Sequence, residues 1–146
     1  MFKKRHSAPG SSPATLVPHL VDGQAKKAAI HVIEYDLNHF REQDYSSVGE
    51  VIRQMDRQKV TWINIDGLGD VAVLEELSTH FKIHPLSLED VLNTGQRPKT
   101  EEADDYVFIV AQMVYHDQEL DLCGEQVSIF LGQIGRASCR ERVSSP

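Results

Sequence analysis

The chain has 146 residues, 40% of them hydrophobic and 25% charged, with a formal net charge of −7. That is room for one domain with a real core, in the proportions of an ordinary soluble globular chain. No apolar run approaches the roughly 18 residues of a membrane span, the basic Lys3-Lys4-Arg5 lacks the apolar stretch of a secretory signal, and two cysteines, Cys123 and Cys139, make no disulfide framework.

Taking the chain in order, residues 1–27 are rich in Ser, Pro, Gly and basic side chains, without periodicity, and read as a disordered lead-in. Residues 28–37, AAIHVIEYDL, are expected to form a strand, with His31 a structural residue rather than a ligand. Residues 40–45 are a second short strand or a turn. Ser47-Val48-Gly49-Glu50 is a capping-box pattern, and Val48, Val51, Ile52 and Met55 follow with helical spacing. Residues 60–66, VTWINID, are apolar on both faces, which predicts a strand covered on both sides. Gly67 and Gly69 mark a turn, and Asp70 is placed to cap a helix whose Leu74, Leu77 and Phe81 share one face.

Residues 84–101, HPLSLEDVLNTGQRPKTE, hold the densest local signals. His84 precedes a proline and is biased out of the helical region, while Pro85 suits the first helical position. Leu88, Val91 and Leu92 form an apolar stripe, and the adjacent acids Glu89 and Asp90 lie off it. Gly95 is placed to stop the helix in the left-handed conformation, and the chain then leads outward through Gln96-Arg97-Pro98-Lys99. His80 and His84 stand at the i, i+4 spacing of zinc enzymes. Yet Pro85 places His84 outside the preceding helix, and Phe81 stands where the metalloprotease motif has its glutamate, so His84 reads as a helix-boundary residue. Residues 100–105 make an acid-dense loop, 106–115 an apolar central strand, 117–121 a polar turn, and 126–131 a strand antiparallel to the one before it. The whole predicts an α/β domain: a mixed, largely antiparallel sheet flanked by helices on both faces.

Residues 133–143 resemble the translated read-through of a sequencing-adapter oligonucleotide. The tail 133–146 is therefore expected to be foreign to a gene cut near Gly132, which also removes Cys139 from consideration. Taking the +3 of Lys3-Lys4-Arg5 and the +2 of the tail from the formal −7 leaves −12 on the body between them. Such a body repels nucleic-acid phosphates and attracts cations, although an acidic surface is also an ordinary means of solubility.

Four stretches, in order, resemble the cytoplasmic domain of the CorA family of magnesium and cobalt transporters: residues 62–68 (WINIDGL), HPLSLEDVLN with QRPK, 105–110 (DYVFIV) and 125–131 (EQVSIFL). The likeness covers roughly residues 28–132. It implies an α/β/α sandwich, here incomplete at its C-terminus, since the family continues with a further strand, a stalk helix and two membrane helices bearing a Gly-Met-Asn signature. It also implies a homopentamer with no nucleic-acid partner. The parent would sit in the inner membrane with this domain on the cytoplasmic side, and the piece in hand would be soluble by itself. By the same resemblance, Asp90 faces an acid on the stalk of a neighbouring subunit, Glu89 serves a nearby second site, and regulatory Mg2+, with Co2+ as a second candidate, holds the closed state. Magnesium suits such a pair, because it takes one or two carboxylates and keeps several waters. Solvent-facing acids without a ligand are the plain alternative on spacing alone. Two other readings stand beside this one: the same domain in a related zinc transporter, and a soluble metal-dependent hydrolase using His84, Glu89 and Asp90. The second lacks a paired-histidine motif, a nucleophile elbow and a phosphate loop, so no enzyme activity is expected.

Overall fold

The computed structural model describes residues 27–116, 118 and 121–132, together with the backbone of a strand at 136–140. The lead-in is thus outside the described residues save Lys27, as are both ends of the expected foreign tail. In chain order the elements are β1 (Ala29–Tyr35), β2 (Phe40–Tyr45), α1 (Val48–Gln54), β3 (Val60–Asp66), α2 (Val71–Phe81), α3 (Pro85–Leu92), β4 (Lys99–Glu102), β5 (Tyr106–His116), β6 (Leu122–Gly132) and β7 (Arg136–Arg140).

The strands form one seven-stranded sheet in the order β2-β1-β3-β7-β6-β5-β4. Neighbours are antiparallel except β3 and β7, which run parallel. The mixed, largely antiparallel sheet is as expected. Register sets the core face: Ile30 lies opposite Ile65, Val32 opposite Ile63 and Phe108 opposite Phe130. These side chains join Val48 and Val51 of α1, Leu74 and Leu77 of α2, and Leu88 and Val91 of α3 in one buried cluster. The three helices thus share one face of the sheet. The other face carries Ile33, Trp62, Val107, Ile109, Val127 and Ile129, all half-buried. Among the described residues no helix layer covers it, so β3 is fully buried on one side and only half-buried at Trp62 on the other.

Several local expectations hold and others shift. Phe40–Tyr45 is a strand rather than a turn, paired along its length with β1. Ser47 caps α1 by accepting from Glu50 N at 3.3 Å, but the returning Glu50 carboxylate accepts from Ser46 N and Oγ, one residue earlier than the capping box requires. Asp70 occupies the N-cap of α2 without a side-chain cap bond, and Lys82 ends that helix in the left-handed conformation with φ 54°. Gly95 is not a left-handed stop: α3 ends earlier, at Asn93 with φ −89°, and the positive-φ glycine among the described residues is Gly67, at 101°. The acid-dense segment is not wholly a loop, since Lys99–Glu102 pairs with β5 as an edge strand. Four polar residues hide that strand from a hydrophobicity reading, because an edge strand needs only backbone pairing on one side.

β7 falls inside the tail expected to be foreign. It fills the slot between β3 and β6, with Trp62 opposite Arg136 and Leu131 opposite the same residue on the other side. Backbone pairing of this kind uses N–H and C=O groups that every non-proline residue carries. It therefore has no bearing on the origin of the segment.

Candidate metal site

The site is built on α3. His84 is the N-cap, extended at φ −65°, ψ 137°, and its Nδ1 accepts from Leu86 N at 3.2 Å. Pro85 opens the helix at a position where a missing N–H costs nothing. Tyr106 of β5 then anchors this end: its hydroxyl accepts from His84 N at 3.0 Å and pairs with Ser87 Oγ at 3.1 Å. Leu88 and Val91 are buried, Leu92 packs against the cluster, and the helix is pinned along this stripe. The boundary role read for His84 is what the structure shows. His80, on α2, sets its ring edge-on to Phe81 at 4.9 Å, so the two histidines serve different local ends.

Glu89 and Asp90 are both half-buried and lie off the stripe, as the spacing predicted. Asp90 is not simply turned to water. Its Oδ2 lies 2.5 Å from Lys99 Nζ, and its Oδ1 accepts from Gln96 Nε2. Lys99 Nζ also reaches Glu101 Oε1 at 2.7 Å and stands 5.6 Å from the centroid of the buried Phe108 ring. Partial burial by itself would lower the Lys99 pKa. The hydrogen bonds and charges of Asp90 and Glu101 outweigh it and hold the ammonium above its ordinary value.

The loop joining α3 to β4 is held from beneath by two glutamines on central strands. Gln126, 5% exposed on β6, accepts from Gln96 N at 3.2 Å and donates to Asn93 O at 3.2 Å. Gln112 on β5 donates to Gln96 O at 3.4 Å. The backbone that carries Gln96, and hence one donor to Asp90, is thereby tied to the sheet.

In the sequence Gln96 and Lys99 stand only as part of an outward-leading segment, Glu101 as one acid of a dense segment that reads as a cation-attracting rim or, more plainly, a solvated loop, and Gln126 as a strand residue. One signal for Lys99 and Glu101 was available. At i, i+2 on a strand they share a face, which follows once residues 99–102 are read as extended. The Gln126 contact spans thirty residues and has no local signature.

As a metal site this is a part, not a whole. Among the described residues, no three His, Cys, Asp or Glu side chains gather closely enough to hold an ion. What one chain offers is a fixed carboxylate already serving a cation, with a second acid beside it. That donor set fits a hydrated magnesium ion, which needs few protein oxygens, and does not fit a dehydrated zinc site.

Comparison with known proteins bears on the family and the fold. The family model for the CorA-like Mg2+ transporter protein matches residues 57–135. The cobalt/magnesium transport protein CorA of Thermotoga maritima is 41% identical over 133 residues, covering 90% of this chain and 37% of that protein. The chain therefore spans well under half the length of that relative. Among solved structures, the soluble domain of CorA from Methanocaldococcus jannaschii matches with a TM-score of 0.55 at 16% identity, over 80% of this chain and 41% of that one. The full-length CmaX protein matches with a TM-score of 0.60 at 12% identity, over 81% of this chain and 36% of that one. These two likenesses concern the fold. The family model covers more than half of the chain, and the transport protein's identity extends over nearly all of it; the chain belongs to the CorA-like Mg2+ transporter family.

Proposed function

We propose that this chain is the ion-responsive cytoplasmic part of a CorA-type magnesium and cobalt transport protein. In this reading Asp90, helped by Glu89, is a regulatory divalent-cation ligand whose sphere is completed by an acid of a neighbouring subunit. The observation that carries it is Asp90 itself: a half-buried carboxylate on a pinned helix, off the apolar stripe, already engaged with a positive charge. Bound magnesium would neutralise acids that otherwise repel one another between subunits. Asp90 and Glu89 supply the fixed, helix-borne half of that neutralisation. Since the ion favours only the arrangement that brings the acids together, its loss shifts the population toward the open one. The assembly is a homopentamer at the inner membrane, with this domain on the cytoplasmic side. Among the described residues no helix is long and apolar enough to cross a membrane. Residues 28–132 are the sensing domain, 1–27 a lead-in, and 133–146 a foreign tail. Transport and gating, not turnover, are the activity.

Two measurements test the reading. The chain by itself should bind Mg2+ with a Kd near 1 mM or weaker, about −4 kcal/mol, and Asp90→Asn should weaken that further. In a longer protein that carries this segment with a pore, Asp90→Lys should make current or protease protection less sensitive to cytoplasmic magnesium and leave ion selectivity unchanged. An unshifted magnesium response in that variant returns Asp90 to an ordinary surface acid.

A further inference from the structure

The two oxygens of Asp90 are held in different ways. Oδ1 accepts from Gln96, a neutral amide on a backbone that the buried Gln126 ties to β6. Oδ2 is held by Lys99, a charge at the end of a flexible stem. The same ammonium has a second acid, Glu101 Oε1, at 2.7 Å, and lies over the face of Phe108. We propose that Lys99 is the resident counter-cation of Asp90, exchanged for the divalent ion when that ion binds, so that Lys99 sets how weakly the site holds magnesium. The proposal rests on Asp90 being a divalent-cation ligand.

The geometry favours exchange over rearrangement. The carboxylate stays where α3 and Gln96 put it, so a cation arriving at Oδ2 moves no helix. The displaced ammonium is not stranded, because Glu101 stays within reach and Lys99 is a compact charge on rotatable bonds. One ammonium shared between two acids compensates Asp90 only in part, so acids of neighbouring subunits still repel, and an incoming ion gains only the difference between its own attraction to Asp90 and that of Lys99. Low affinity then follows from competition within the chain, in addition to a coordination sphere shared between subunits. Affinity becomes adjustable at a residue that never touches the ion, which makes Lys99 a positioning and tuning residue rather than a ligand.

The test is titration of this chain with magnesium chloride, followed by NMR. Lys99→Met keeps the apolar stem over Phe108 and removes the charge; it should tighten Mg2+ binding by about two- to fivefold, the scale of a partly exposed ion pair. Lys99→Arg keeps the charge and should restore weak binding. In the parent chain, the Lys99 side-chain resonances should move with magnesium occupancy, a readout that needs no substitution to fold. Lys99→Met binding no tighter than the parent, or Lys99 resonances that stay still while Mg2+ saturates Asp90, overturns the exchange and leaves the Asp90 reading standing. If Asp90→Asn binds as the parent does, the Asp90 reading falls and takes the exchange with it.

Discussion

Phe108 joins the core to the site, and removing it should damage both. Its side chain is 1% exposed, stacks on Phe130 at a centroid distance of 4.7 Å and 15° between planes, and lies beneath Lys99. Burying a phenylalanine is worth about 1.5–3 kcal/mol in transfer free energy. The cavity left by truncation adds to that, and Phe→Ala in a core typically costs about 3–5 kcal/mol. A domain of this size has a total stability of roughly 5–15 kcal/mol, so Phe108→Ala removes a large fraction of it. With a urea slope of about 1–3 kcal/mol per molar, the unfolding midpoint should fall by roughly 1–5 M. Phe108→Leu fills most of the space and should fall much less. Equilibrium urea unfolding, followed through the single Trp62, measures both. A Phe108→Ala midpoint within experimental error of the parent would refute the placement of β5 against the helical layer.

Four further outcomes are expected. Tyr106→Phe deletes the hydroxyl shared by His84 N and Ser87 Oγ and should cost about 1–2 kcal/mol in thermal or urea unfolding. Ser47→Ala removes the α1 cap and should cost about 1 kcal/mol by the same assay. Gly49→Ala should stabilise by up to about 0.5–1 kcal/mol, because a Cβ there meets just the far ends of two flexible side chains, Glu76 at 2.9 Å, which can swing aside, and Arg53 at 4.0 Å, an ordinary contact. His31 bonds Asp44 Oδ1 at 2.6 Å and Glu42 Oε1 at 2.7 Å through its two ring nitrogens. The Asp44 bond first, against some desolvation, and then the Glu42 bond raise its pKa. Its contribution is thus fully present below the unfolded value of about 6.5 and is lost as pH rises through the higher folded value. His31→Gln should flatten that part of the melting-temperature profile, and an unchanged profile would dissociate the pair of bonds from stability.

How much of this was legible in the sequence differs by element. The start of α3 could be read because proline geometry is local: His84 and Pro85 fix that boundary whatever packs around it. The hairpin of β5 and β6 was legible from two apolar runs with a polar turn between them, and the Asp90 position from three apolar residues at helical spacing. β4 was not, because Lys99–Glu102 owes its extended form to pairing with Glu102↔Val107 and Lys99↔Val110, not to its own preferences. The Lys99 contact was missed with it. Gly95 misled for a related reason: the glutamine clamp from β5 and β6 already directs the chain away from α3, so no left-handed residue is required there.

The place of β7 in the sheet bears on how the domain comes together in time. β2, β1 and β3 pair among themselves, and so do β4, β5 and β6, yet no direct pairing joins the two groups. In this chain the link is β7, which lies in the segment read as foreign and whose Arg136 pairs opposite Trp62 across a long sequence separation; the slot it fills asks only for a strand with free backbone groups. Closing so distant a parallel pair is slow compared with forming the local hairpins on either side. On a ribosome, then, two three-stranded halves emerge first, each with an open inner edge at β3 or β6. Until the bridging strand arrives those edges can pair with another chain as readily as with their own. Aggregation during synthesis, rather than low stability of the finished fold, becomes the vulnerable step. Chaperone dependence of expression is where it would surface.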